Sequence, residues 1–166
     1  TAIQQDADND TLNLHALMAS LRGGITPNEG ALLRRLAFEV HHGCIVEVGS
    51  FRGKSAVALA FGVRDQDPPQ RPAIYCIEPH RTFTGFYGGE FGPADRGAFY
   101  EAMCRTGAFN EAALVNLTSE DVTPAWSQPV GLLFIDGDHR YPGVKRDFDC
   151  WDRHVLVGGT VVFDDA

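Results

Sequence analysis

Acidic residues stand where apolar runs end. The run "PVGLLF" (129–134) leads through Ile135 to Asp136, Asp138 and His139, and "TVVF" leads to Asp164 and Asp165. A carboxylate at the tip of a buried strand is costly unless something pairs with it. Three carboxylates brought together repel one another, so one must protonate or a cation must join them. Mg2+ suits such a place, because it takes oxygen ligands and keeps several waters. His139, three residues past Asp136, can accept a proton near neutral pH, and Asp138 is its rival. The plainer alternatives are a metal-free site, with Asp164 and Asp165 facing solvent, and a "DGDH" segment that is only a tight turn.

A second set of residues lies upstream, in "VEVGSFRGKS" (46–55). A P-loop needs four residues between its first Gly and Gly-Lys-Ser, and here only Ser50, Phe51 and Arg52 intervene. The G-x-G-x-x-G spacing fails too. What remains is Glu47-Val48-Gly49, then Gly53, at a strand-to-helix turn. Glycine permits close approach of a ligand, and a helix start offers free N–H groups. Glu47 can accept hydrogen bonds from an ammonium group, which suits a cofactor bearing an amino acid better than a pyrophosphate. The next apolar run, "AIYCIE" (73–78), ends in Glu78, which can take both hydroxyls of a ribose.

These residues need elements to position them. "TLNLHALMASL" (11–21) and the segment opened by Thr26-Pro27, with Glu29 in its first turn, predict two helices. Strands are predicted at 44–49, 73–78, 112–117, 130–136 and 159–165. They alternate with helices over "KSAVALAFGV", 94–107 and 141–155, with a short helix in "TSEDVTPAW". Such alternation predicts an α/β fold, a doubly wound, mostly parallel sheet with helices on both faces. The expected organisation is an N-terminal helical extension (1–26) and one domain (27–166). Residues 79–97, rich in Gly and aromatics, look too irregular for an element and read as a lid or substrate wall.

Composition narrows the classes. The formal charge is −8, from 14 Lys+Arg against 22 Asp+Glu, with no basic block, so nucleic-acid binding is set aside. No apolar run reaches the length of a membrane span and no leader opens the chain, so no membrane partner is expected. Four dispersed cysteines without a C-x-x-C pair read as reduced core thiols of a cytoplasmic protein. Among the histidines, His15, His41, His42, His80 and His154 read as surface residues, and Lys54 as a solvated helix residue.

Taken together, "VEVGSFRGKSA", "IYCIEP", "TSEDV" and "FIDGDHRYPGVKRDFDCWDRHVLVGGTVVFDD" resemble the class I S-adenosylmethionine-dependent methyltransferases. The likeness covers residues 27–166. It is nearest the small-molecule O-methyltransferases that include catechol and macrolide-sugar enzymes. It implies a Rossmann-like fold in which Glu47, Gly49, Ser50, Gly53 and Ser55 hold the methionine moiety and Glu78 the ribose. Ser119 and Glu120 would lie near the adenine. Asp136 would meet the cofactor and, with Asp164 and Asp165, hold Mg2+. His139 stands where catechol-type relatives carry a basic residue. The implied acceptor is a hydroxyl of a sugar or phenolic natural-product intermediate, and a homo-oligomer is compatible with it. Relatives continue with further strands that this sequence, ending at Ala166, does not contain. The competing readings are a metal-independent methyltransferase with Asp138 or His139 as base, a non-catalytic cofactor-binding module, and a nicotinamide oxidoreductase.

Overall fold

A computed structural model describes residues 15–164. Residues 15–20 are helical (α1), and the start of the predicted helix over 11–21 lies outside the described residues. Helix α2 (Pro27–Phe38) begins as its sequence predicts. Thr26 Oγ1 accepts from Glu29 N at 3.3 Å, and Thr26 N donates to Glu29 Oε2 at 2.6 Å. This reciprocal cap satisfies two otherwise orphaned N–H groups.

The main sheet is built from β1 (Cys44–Val48), β2 (Ile74–Ile77), β5 (Ala112–Val115), β6 (Val130–Ile135) and β7 (Val155–Phe163). Its order is β5-β2-β1-β6-β7, and every pair is parallel. Parallel strands need crossovers, supplied by α3 (Lys54–Arg64), α4 (Pro93–Thr106), the short α5 (Ser119–Val122) and α6 (Tyr141–Trp151). Strand order reverses between β1 and β6. Open α/β sheets bind ligands at that point, beyond the carboxyl ends of the strands.

β1 is buried along its whole length, as a central strand covered on both faces must be. Alternate residues feed two cores. Ile45, Leu132 and Phe134 pack with Leu33, Val57, Leu59 and Phe99 on the α2–α3–α4 side. Val46, Leu133 and Ile135 pack with Trp151 on the α6 side. Met18, Leu21 and Ile25 join the first core, so residues ahead of α2 complete that layer.

Three expectations change. Residues 79–97 hold a two-stranded antiparallel hairpin, β3 (Phe83–Thr84) and β4 (Glu90–Phe91), and the first turn of α4. Gly85 N donates to Gly89 O at 2.8 Å and Gly88 takes φ +80°, so the glycines that read as irregularity make the turn. Helix α6 ends at Trp151, and a short 3₁₀ turn (Asp152–His154) follows. Strand β7 starts four residues early, at Val155, because its register shifts against β6 and Gly158 (φ +84°) absorbs the irregularity.

Candidate active site

The ladder of the sheet extends one residue beyond each strand and sets the site. Gly49 N donates to Ile77 O at 3.0 Å, Glu78 N to Val115 O at 3.1 Å, Asp136 N to Val48 O at 2.8 Å and Asp164 N to Ile135 O at 3.0 Å. Gly49, Glu78, Asp136 and Asp164 therefore stand along one edge. A cavity of about 310 Å³ opens there, bordered by Gly49, Glu78, Ser119, Asp136 and Asp147 among others.

The turn after β1 is close-packed. A Cβ on Gly49, at φ +90°, would lie 2.3 Å from the Asp136 carbonyl oxygen, so only glycine lets β1 and β6 approach here. Gly53 caps α3 at φ +81°, where a Cβ would meet Met103 and Phe99. Glu47 sits behind this turn, fully buried. Its Oε2 accepts from Ser50 Oγ at 2.6 Å, while Oε1 has no hydrogen-bond partner. Burial pushes its pKa up, against the hydroxyl of Ser50. Ser50 and Ser55 border a second cavity of about 140 Å³ with Gly49, Lys54, Asp136 and His139.

Glu78 is held by two strained residues. Oε2 accepts from Phe51 N at 3.2 Å and Oε1 from His80 N at 2.7 Å. Phe51 (φ 44°) and His80 (φ 48°) both occupy the left-handed region without being glycine. His80, expected at the surface, is buried. Its Nε2 lies 2.8 Å from the Phe51 carbonyl oxygen, and its Nδ1 3.3 Å from Asn116 Nδ2. A carbonyl oxygen can only accept and the amide nitrogen only donate, so Nε2 donates to the Phe51 carbonyl and Nδ1 accepts from Asn116.

At the other end, Ser119 is buried and its Oγ accepts from Trp151 Nε1 at 3.0 Å. Glu120 is exposed, 3.7 Å from Arg146. Asp147 also faces this cavity, and burial raises its pKa, with the Ser119 hydroxyl opposing and Glu120 and Asp138 adding to the rise. The sequence reading missed Asp147. The available signal was its place four residues after Gly143, on the helix face that meets Asp138.

The predicted acids converge. One ligand atom each from Asp136, His139 and Asp164 lies within 4.8 Å of the others. His139 Nε2 is 3.5 Å from Asp136 Oδ1. Asp165 lies outside the described residues. Asp138 borders the main cavity and, with His139, an aromatic-lined one, its Oδ1 accepting from Arg140 N at 3.2 Å in a local turn. A third cavity, about 120 Å³, lies between His139 and the rings of Phe83, Phe86, Tyr87 and Phe91 on the hairpin.

Comparison with known proteins decides the family. The family described as "Methyltransferase domain" matches residues 46–166. The chain belongs to that family. This agrees with the resemblance drawn from its motifs. Its fold is shared with cofactor-bound Rv0187 from MTB, with 21% identity, TM-score 0.67, and coverage of 96% of this chain and 65% of that one. It is shared with the O-methyltransferase TomG from Streptomyces achromogenes, solved with SAM, at 21% identity and TM-score 0.64, covering 85% and 56%. An O-methyltransferase from Bacillus cereus, solved with SAH, has 16% identity and TM-score 0.66, covering 94% and 64%. A 36-residue stretch is 50% identical to the uncharacterized protein R132 of Acanthamoeba polyphaga mimivirus, covering 22% of this chain and 16% of that protein. The methyltransferase domain described here thus spans less than two thirds of the length of each. Among its described residues, no helix is long and apolar enough to cross a membrane.

Proposed function

We propose that this methyltransferase domain transfers a methyl group from S-adenosylmethionine to a hydroxyl oxygen of a small molecule, a sugar or phenol of natural-product type. The observation that carries the reading is the alignment of Gly49, Glu78, Asp136 and Asp164 on one sheet edge at the strand-order reversal. The residues fit the cofactor. Gly49 keeps the turn free of a Cβ, and Glu78 borders the main cavity with acceptor capacity to spare for ribose hydroxyls. Ser119 and Glu120 would flank the adenine.

The methyl donor leaves as S-adenosylhomocysteine, and the acceptor oxygen gives up its proton. Asp138 and His139 both border the aromatic slot, and His139 is the favoured acceptor of that proton because Asp138 Oδ1 already accepts from Arg140 N and its Oδ2 lies 3.7 Å from the Arg140 guanidinium. Alignment of acceptor and donor against these walls supplies much of the rate. Asp136 and Asp164, with Asp165, would hold Mg2+, and a bound cation would supply positive charge beside the acceptor oxygen. The convergence of His139 on the two carboxylates supports a second reading, in which His139 is itself a cation ligand. Cys44 and Cys76 are buried and free, as core thiols of a cytoplasmic protein would be, whereas Cys104 is exposed and Cys150 half-buried.

Calorimetric titration tests the cofactor: S-adenosylhomocysteine binds and NAD does not, and the reverse result sinks the proposal. Turnover with labelled donor over a panel of sugars and phenols identifies the acceptor, and activity undiminished in excess EDTA would remove the metal. In His139→Ala, Mn2+ binding retained with a rate loss of about 10²–10⁴-fold marks a base, whereas lost Mn2+ binding marks a ligand.

A further inference from the structure

Three cavities meet at the active edge, of about 310, 140 and 120 Å³. Among the described residues, Phe91 alone borders all three. Its ring lies 4.8 Å from that of Phe51, in the turn after β1, and stacks at 4.7 Å on Phe83 of β3. A polar link runs parallel to the rings. Arg52 Nε donates to Asp95 Oδ1 at 2.7 Å, and Asp95 Oδ2 accepts from Gly92 N at 2.9 Å, next to Phe91.

The hairpin cannot hold its shape alone. Its strands have two residues each, and an isolated two-stranded hairpin is marginal in water. Phe86 and Tyr87 at its tip are 61% and 80% exposed, so its order comes from its base. There it leans on Phe51 through Phe91, on Arg52 through Asp95, and on Arg140, whose guanidinium donates to Thr84 O at 2.6 Å. Phe51 in turn keeps its left-handed backbone because its N–H is bound by Glu78 and its carbonyl by His80. A ribose engaging Glu78 engages the anchor of Phe51.

We propose that Phe91 is a positioning residue that couples cofactor occupancy to the order of the hairpin over the acceptor slot. The inference rests on the cofactor reading above. The cofactor then binds first, and its ribose tightens Glu78, Phe51, Phe91 and the hairpin in that sequence.

Amide exchange over residues 83–91, with and without S-adenosylhomocysteine, tests this in the absence of any known acceptor. In the wild-type chain the ligand slows exchange at Gly85 and Gly88 about tenfold. Phe91→Ala, held at saturating S-adenosylhomocysteine, loses the slowing, and Phe91→Tyr restores it. Phe91→Leu, which keeps apolar bulk without a ring, serves if the alanine variant does not fold, and it too loses the slowing. A merely structural role would speed exchange equally in both states and leave their ratio intact. That result, or bound ligand without slowing in the wild type, overturns the coupling. Absence of calorimetric binding by the wild type overturns the cofactor reading instead, and the coupling falls with it.

Discussion

Glu47 shows how one buried carboxyl ties stability to pH. Its carboxyl is fully buried, one oxygen is held by Ser50, and the other lacks a hydrogen bond. Ionising it there costs more than ionising it in the unfolded chain, so its pKa is raised by folding. The folded state therefore binds the proton more tightly than the unfolded one. The stability this confers is present below the ordinary Glu range and is lost as pH rises through the raised value. As pH rises above the ordinary Glu range the ligand-free protein should lose stability, and Glu47→Gln should flatten that slope. Urea midpoints across pH measure it. The sequence marked Glu47 by its distance from Gly49, yet its burial behind Ser50, off the walls of the cavities described, came only with the fold.

At the scale of elements, the contact between the turn after β1 and the end of β6 is the tightest constraint. A Cβ at Gly49 would sit 2.3 Å from the Asp136 carbonyl oxygen, at a φ of +90° that an alanine resists. Gly49→Ala should cost about 3 kcal/mol in denaturant unfolding, because backbone must move on both strands. It should also weaken S-adenosylhomocysteine binding, since Glu78 and Asp136 then lose their alignment. The hairpin is the opposite case. Its exposed tip tolerates change, while its base at Phe91 carries the coupling proposed above. Periodicity made the main strands legible, since each is a short apolar run closed by a polar residue. It could not find a hairpin whose strands have two residues each.

Across the whole molecule, the sheet divides the interior into two cores that share a backbone but few side-chain contacts. Leu132 and Leu133 are neighbours in β6, both fully buried, and face opposite cores. Leu132→Ala and Leu133→Ala should each cost about 3 kcal/mol. Their double variant should cost the sum within about 0.5 kcal/mol, since the two cavities would open on opposite faces. A markedly smaller cost for the pair would show that the layers relax together. Fitting the double variant's denaturation curve against those of the single variants decides it.

The sequence alone determined the alternation of strands and helices, the parallel sheet, and the acids at the strand tips. Each of these is local: an apolar run of strand length, a cap such as Thr26 with Glu29, a carboxylate one step past the last buried residue. The tertiary structure alone decided which tips meet. Strand order β5-β2-β1-β6-β7 brings Asp136 beside Gly49 and Asp164, and sets Glu78 on the far side of the turn. It also buried His80 against the Phe51 carbonyl and placed Phe91 where three cavities join. Those outcomes depend on packing between residues distant in the chain, and such contacts leave no period or spacing to read.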